Sequence, residues 1–122
     1  MIVAGFGFTS RATRDSLEGA LAATGYDGPL DHIATPSDKA AQPAILDFAR
    51  IRGVGIIAIQ PNQLEQARTE TQSFMSRLMR RTGSVAEAAA VVGAGDGSAL
   101  ITTRHISQDR MATCAIAKGP DT

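Results

Sequence analysis

The sequence is poor in aromatic residues, and this scarcity limits the partners that it can recognise. Phe, Trp and Tyr make up 4% of the 122 residues, and Trp is absent. Proteins that bind single-stranded nucleic acid stack the bases on aromatic side chains. Twelve Lys and Arg balance twelve Asp and Glu, so no excess positive charge attracts nucleic acid or an anionic membrane. The composition argues against a nucleic-acid partner, and any recognition of an anion has to be local.

Cysteine, histidine and long apolar runs are also scarce. Cys114 is the single cysteine, so the chain forms neither an internal disulfide nor a cysteine-based zinc site. The apolar neighbours of Cys114 favour a buried, unreactive thiol over a nucleophile. The two histidines, His32 and His105, have no partner at metal-ligand spacing, so we expect no metal and no cofactor.

No stretch of the sequence approaches the ~20 apolar residues of a membrane span. The apolar start has no basic segment before it, as a secretory leader would, which favours a cytoplasmic protein without a membrane partner.

Apolar segments of strand and helix type alternate along the chain. Strands are predicted at residues 1–4, 30–34, 54–59, 99–104 and 111–118, and helices at 13–24, 43–52, 61–67, 71–81 and 85–92. This order predicts an α/β fold with three α/β/α layers and a largely parallel, mixed sheet of about five strands that ends in an antiparallel edge hairpin. The continuous apolar run at 54–59 is expected to be buried on both faces. We expect one domain over residues 1–118 and a flexible tail over 119–122.

The predicted helices carry recognisable end signals. Thr13 is the expected N-cap of the first helix and Gly25 its stop, while Gly53 ends the second helix. Ser84 is followed three residues later by Glu87, the pattern of a capping box at the start of an alanine-rich helix. These signals place the helix N-termini directly after predicted strands or loops.

Ligands of open parallel sheets collect beyond the carboxyl ends of the strands, and the segment after the first strand is the most informative candidate. Gly5 and Gly7 predict a tight turn with close backbone approach, and Thr9, Ser10 and Arg11 then supply two hydroxyls and a cation. The following helix directs its free N–H groups at the same place. A dinucleotide fingerprint would need a third glycine at position 10, which is serine here. Two interpretations remain open: an anion site, or a tight turn without a ligand.

Two further pairs of residues are candidates for chemistry. Asp38 and Lys39 follow the second predicted strand and act either as an acid and base pair, as ligand contacts, or as a solvated ion pair. Ser84 and Glu87 form either a structural cap or part of a site. Asp38 and Glu87 are the two carboxyl groups that we consider as a catalytic acid or base.

Four blocks of sequence resemble, in the same order, the family of CobE and of the C-terminal domain of CbiG, two proteins of cobalamin biosynthesis. The blocks are IVAGFGFTSR at 2–11, IATPSDK at 33–39 with the helix up to residue 49, GSVAEAAA at 83–90 and MATCAIA at 111–117. Together they extend over nearly the whole chain, and the third block is the most diagnostic. The resemblance implies a three-layer α/β/α fold and a role in building the corrin ring.

The resemblance distinguishes two kinds of relative. CbiG-type proteins open a lactone ring on a cobalt-precorrin in the anaerobic pathway, whereas CobE-type proteins consist of this short domain alone and belong to the aerobic pathway. The N-terminal part of CbiG is absent here, so the chain resembles stand-alone CobE more. In the strand where the family often carries a lysine, this sequence has Arg104, which keeps the charge with a different geometry.

A precorrin carries many acetate and propionate groups around a large apolar macrocycle, so its site needs several separate cations at the rim. Arg11, Lys39 and Arg104 are the expected cations, assisted by the hydroxyls of Thr9 and Ser10. The predicted ligand-binding residues are Gly5, Gly7, Thr9, Ser10, Arg11, Asp38, Lys39, Ser84 and Arg104.

The resemblance leads to three hypotheses about function. In the first, the protein binds or carries a precorrin or corrin intermediate. In the second, it is an enzyme that acts on a precorrin by hydrolysis or proton transfer. In the third, it binds another enzyme of the cobalamin pathway without contacting the ligand.

Overall fold

A five-stranded mixed sheet with helices on both faces forms the framework of the computed structural model, which describes residues 1–65 and 84–119. The strands are β1 (Ile2–Phe8), β2 (His32–Pro36), β3 (Gly55–Ile59), β4 (Ala99–Ile106) and β5 (Ala112–Lys118). The helices are α1 (Arg14–Thr24), α2 (Pro43–Arg52) and α3 (Val85–Ala94), and residues 61–65 are also helical. The helix predicted at 71–81 and residues 120–122 of the predicted tail lie outside the described residues.

The strands lie in the order β3-β2-β1-β5-β4. Strands β1, β2 and β3 are parallel, and β5 is antiparallel to both of its neighbours. The mixed α/β sheet predicted from the sequence is confirmed, including its antiparallel closing pair. Only β4 of that pair lies at the edge, because β5 is inserted beside β1 and pairs with it from Ile2 to Phe8.

The two faces of the sheet have cores of different character. Helices α1 and α2 cover the face that presents Phe6, and the ring of Phe6 meets that of Phe48 edge-on at a centroid distance of 5.1 Å. Helix α3 covers the other face with small side chains, among them Ala89, Ala90 and Ala94. Small side chains allow the axis of α3 to lie close to the sheet, and this proximity fixes where its first turn lies.

The end signals of α1 and α2 behave as predicted. The side chain of Thr13 accepts a hydrogen bond from the N–H of Ser16, and the hydroxyl of Ser16 accepts one from the N–H of Thr13, which closes a capping box at the start of α1. Gly25 and Gly53 follow α1 and α2 with φ of 78° and 69°, the left-handed conformation that glycine adopts without steric cost. Local signals therefore set the helix ends.

Two sequence-based predictions about the strands are wrong. The expected turn at Gly5 and Gly7 is absent because β1 continues to Phe8, held by its pairing with β5. The run at residues 54–59 is not buried on both faces: β3 is an edge strand, and Gly55 and Ala58 are exposed. Among the residues that the structure describes, no helix has the length and apolar character needed to cross a bilayer.

Candidate functional site

One edge of the sheet gathers the chain segments that the sequence singles out. The parallel strands β1, β2 and β3 end there, and α1 and α2 begin in the connections that leave β1 and β2. The first turn of α3 lies at the same edge, because Val85 packs beside Gly7 near the end of β1. Three helix N-termini, each with a positive dipole end, therefore face this edge. We call it the strand-end site.

Gly5 and Gly7 serve the packing of α3. A Cβ atom at Gly5 would lie 2.2 Å from the carbonyl oxygen of Ala86 and 2.4 Å from the nitrogen of Ala90, so only glycine fits under the helix. A Cβ atom at Gly7 would meet the side chain of Val85 at 3.5 Å. The two glycines lie in extended backbone and set the position of the α3 N-terminus, a role that the predicted turn did not include.

Thr9, Ser10 and Arg11 form an exposed loop directly after β1. The N–H of Thr9 donates to the carbonyl oxygen of Met111 at 3.0 Å, and its hydroxyl lies 3.4 Å from the Met111 sulfur. The Thr9 hydroxyl oxygen also accepts from the N–H of Arg11 at 3.3 Å. These bonds fix the backbone of the loop and leave the guanidinium of Arg11 facing solvent.

Asp109 joins the turn between β4 and β5 to α1, and sequence reasoning missed it. One carboxylate oxygen accepts from the hydroxyl of Ser107 at 2.6 Å and from the N–H of Met111 at 3.0 Å, and the other accepts from the hydroxyl of Ser16 at 2.6 Å. These hydrogen bonds, that of Ser107 foremost, lower the pKa of Asp109. The only sequence signal is a serine and an aspartate two residues apart in a predicted turn.

Lys39, in the connection after β2, lies near the end of β1. Its Nζ atom lies 5.8 Å from the centroid of the Phe8 ring, at the end of β1. Asp38 is exposed beside it. Within residues 1–65 and 84–119 neither side chain takes part in a salt bridge, so the predicted ion pair of Asp38 and Lys39 does not form.

Ser84, Glu87 and Arg104 form a second group at this edge, on the α3 side. The hydroxyl of Ser84 accepts from the N–H of Glu87 at 3.1 Å, which confirms the predicted helix cap. The reciprocal half of the predicted capping box does not form, because the carboxylate of Glu87 turns to β4, where its Oε2 accepts from the N–H of Arg104 at 3.1 Å. Arg104 lies in a register shift of β4 between Thr102 and His105, so its N–H is outside the regular ladder.

A groove between the first turns of α1 and α2 adjoins the strand-end site, and sequence reasoning did not find it. Its volume is about 790 Å³. Arg14 and Arg50 both form ion pairs with Asp47 on its wall. Gln42, the N-cap of α2, makes no capping hydrogen bond with its side chain. The groove is lined by Ala12, Thr13, Arg14, Pro43, Ala44, Leu46, Asp47 and Arg50.

The described part of the chain provides neither a metal-binding cluster nor an accessible thiol nucleophile. Within it, no group of three or more His, Cys, Asp or Glu side chains could hold a metal ion. Cys114 is fully buried in the α1 and α2 core, as predicted, and burial raises the pKa of its thiol. The strand-end site therefore carries cations, carboxylates, helix N-termini and exposed apolar side chains.

Comparisons with known proteins agree with this architecture. The family described as "Cobalamin synthesis G C-terminus" matches residues 2–117. The crystal structure of cobalamin biosynthesis protein chiG from Agrobacterium tumefaciens str. C58 superimposes with a TM-score of 0.79 and 30% identity, over 99% of this chain and 100% of that one. CobE, a protein of the cobalamin (vitamin B12) biosynthetic pathway, gives 0.72 and 25%, over 96% and 89%.

A third structure shares the fold. It is a homolog of cobalamin biosynthesis protein G from Sulfolobus solfataricus, with a TM-score of 0.63 and 19% identity, and the match extends over 99% of this chain and 37% of that one. No curated protein matches the sequence. Since the family match runs from residue 2 to residue 117, the chain belongs to the CobE/CbiG C-terminal family of cobalamin biosynthesis.

Proposed function

We propose that this protein binds a precorrin or corrin intermediate of the aerobic cobalamin pathway at the strand-end site and carries it between enzymes of that pathway in the cytoplasm. The observation that supports the proposal is the placement of three cations on separate elements at one edge of the sheet. The chain has no net charge, yet Arg11, Lys39 and Arg104 come from three separate elements that end at one edge of the sheet. Three helix N-termini add to the positive potential there.

The spacing of these groups suits a ligand with several carboxylates. A compact anion would need cations that converge on one point, whereas a macrocycle with acetate and propionate arms needs cations on different elements. Arg11 follows β1, Lys39 follows β2 and Arg104 lies near the end of β4, so each is available to a different carboxylate. The ligand class and the distribution of charge are therefore complementary.

Two exposed apolar side chains lie at the same end of the sheet as the cations. They are Val85 and Ile106, each 39% exposed. Ile106 of β4 pairs with Thr113 of β5, and Thr113 pairs in turn with Gly7 of β1. Val85 packs beside Gly7, so both apolar side chains lie near the end of β1. Exposed apolar groups next to charged ones mark binding surfaces in soluble proteins. A corrin ring has the same combination of an apolar body and a charged rim.

Binding is tested by incubating the purified protein with hydrogenobyrinic acid and passing the mixture through a desalting column. We expect pigment to elute with the protein and with a changed absorption spectrum. Replacing Arg11 with Ala should weaken binding about tenfold, since a charge-assisted hydrogen bond contributes roughly 1.5 kcal/mol or more. Arg52→Ala is the matched control, because Arg52 ends α2 at the opposite end of that helix and pairs with Glu18.

Three results would contradict the proposal in different ways. Intact pigment that never elutes with the wild-type protein would remove the carrier function and favour a role confined to binding other pathway enzymes. Equal affinity of the Arg11→Ala and wild-type proteins would show that the ligand lies elsewhere. A change in the mass of the pigment would identify an enzyme, with Asp38 or Glu87 as the acid or base.

A further inference from the structure

The groove between the first turns of α1 and α2 combines exposed apolar side chains with two arginines. Its volume of about 790 Å³ lies within the range of about 300–1,000 Å³ that small-molecule pockets have. Ala12, Pro43, Ala44 and Leu46 supply the apolar part of its lining. Leu46 is 48% exposed. A single exposed leucine is ordinary on a protein surface, but one that lines a groove together with arginines is placed to contact a ligand.

Arg14 and Arg50 share one acidic partner on the wall of this groove. One oxygen of the Asp47 carboxylate accepts from Arg14 at 3.4 Å, and the other accepts from Arg50. Asp15 also lies 3.8 Å from Arg14, with a side chain that is 89% exposed. Exposed ion pairs such as these are weak. Two guanidiniums offer more N–H donors than one shared carboxylate can accept, so both can also bind carboxylates of a ligand.

The walls of the groove begin beside two cations of the strand-end site. Arg11 directly precedes Ala12, which lines the groove. The carbonyl oxygen of Lys39 accepts from the N–H of Gln42, the N-cap of α2, at 3.1 Å. The ring of Phe8, 5.8 Å from the Lys39 Nζ atom, packs against the core that α1 and α2 cover. Lys39 and the groove therefore lie on the same face of the sheet.

We propose that the groove holds the apolar ring of the ligand, with Leu46 against the ring and with Arg14 and Arg50 bound to its carboxylates, an inference that rests on the proposed function. The lining carries two guanidiniums and one carboxylate, so its charge is complementary to an anion. Its apolar side chains gain from a macrocycle that removes them from water, and not from a hydrated linear polycarboxylate. The groove therefore selects an anion with a sizeable apolar body.

Leu46→Glu tests the groove, and Ile51→Glu is its matched control. Both residues lie on α2 and are about half exposed, at 48% and 52%, but only Leu46 lines the groove. We expect Leu46→Glu to lower the affinity for hydrogenobyrinic acid about tenfold or more, because apolar contact is lost and a like charge is added. Ile51→Glu should bind as the wild type does. Urea unfolding midpoints show that both variants fold.

The two arginines near the end of α2 provide a second comparison. Arg50 lines the groove, whereas Arg52 pairs with Glu18 outside its lining. Arg50→Ala should lower the affinity for hydrogenobyrinic acid about threefold or more, because an exposed ion pair with the pigment is lost. Arg52→Ala should leave the affinity unchanged.

Cysteine footprinting locates the ligand without relying on a loss of affinity. Cys114 is the single native cysteine and is fully buried, so a thiol introduced at an exposed position is labelled alone. N-ethylmaleimide should label Leu46→Cys rapidly in the free protein and about tenfold more slowly with saturating hydrogenobyrinic acid. Ile51→Cys should be labelled at the same rate in both cases. Mass spectrometry of the intact protein measures the rates.

The outcomes separate this inference from the proposed function. Wild-type protein that does not bind hydrogenobyrinic acid would overturn both. If the wild type binds it and Arg11→Ala weakens binding, equal affinity of Leu46→Glu or unchanged labelling of Leu46→Cys would overturn the groove alone. Equal weakening by Leu46→Glu and Ile51→Glu would reveal a general effect of charge and would also overturn it. Labelling of Leu46→Cys that slows as the concentration of pigment-free protein rises would assign the groove to a second copy of the chain instead.

Discussion

Replacing Gly5 with alanine should destabilise the protein strongly, although it adds a single methyl group. The new Cβ atom would lie 2.2 Å from the carbonyl oxygen of Ala86 and 2.9 Å from the Cα atom of Ala90, both of them backbone atoms of α3. Ordinary contact begins near 3.4 Å, so the helix would have to retreat by about 1 Å. The backbone of a helix cannot rotate away as a side chain can.

The expected cost follows from measured effects of overpacking. Extra methylenes in a packed core cost about 1–3 kcal/mol, and a clash with backbone belongs at the upper end of that range. A loss of about 3 kcal/mol is a large part of the roughly 5–15 kcal/mol that stabilises a domain, and lowers the melting temperature by about 12 °C at this chain length. Circular dichroism in the far ultraviolet, followed during urea and thermal unfolding, measures the change.

Gly7→Ala provides the comparison within the same strand. Its Cβ atom would meet the hydroxyl of Thr113 at 3.1 Å and the side chain of Val85 at 3.5 Å, and both side chains can adjust. We expect a loss of about 1 kcal/mol or less. Equal unfolding midpoints for Gly5→Ala and the wild type would refute the argument that α3 rests on the backbone of β1.

Two further predictions concern groups whose pKa is shifted. Hydrogen bonds from Ser107 and Ser16 lower the pKa of Asp109, so its ionised carboxylate stabilises the fold above the usual value of 3.8, and this stabilisation is lost as the pH falls from there through the lowered pKa. Urea midpoints of wild type and Asp109→Asn should therefore differ at neutral pH and converge in acid; curves that stay parallel would contradict the assignment. Burial raises the pKa of the Cys114 thiol, so we expect Ellman's reagent to label it only as fast as the protein unfolds. Immediate labelling of the native protein would show that the thiol is accessible.

The helix ends could be predicted from the sequence because each depends on neighbouring residues. A threonine or serine that caps N–H groups two or three residues later, and a glycine that adopts positive φ, act within one turn. Thr13, Gly25, Gly53 and Ser84 are all used in this way. Long-range contacts are not needed to interpret these positions.

The glycines of β1 show where local reasoning fails. A Gly-x-Gly pattern after a short apolar run fits a tight turn, and it equally fits a strand on which a helix lies close. The choice depends on β5, whose residues follow about a hundred positions later and pair with β1 up to Phe8. It depends also on α3, which rests on Gly5. Neither partner is visible from the segment itself.

The candidate site could be predicted in part. Parallel strands place the residues that follow them at one edge, so the proximity of Lys39 to the end of β1 follows from the order of strands and helices. The hydrogen bonds of Asp109 and the burial of Glu87 could not be foreseen. The first requires the β4–β5 turn to meet α1, and the second requires a register shift that exposes the N–H of Arg104.

The position of β5 has a consequence for the synthesis of the protein. Strand β1 leaves the ribosome early, but its partner at residues 112–118 is made last among the strands. Until then one side of β1 is an open strand edge, which is prone to pair with other chains. The loop with Thr9 also lacks its hydrogen bond to Met111. The edge proposed to bind the ligand therefore cannot acquire its full structure before residue 112 is made, and stalling of translation before that residue would leave β1 with an open, aggregation-prone edge.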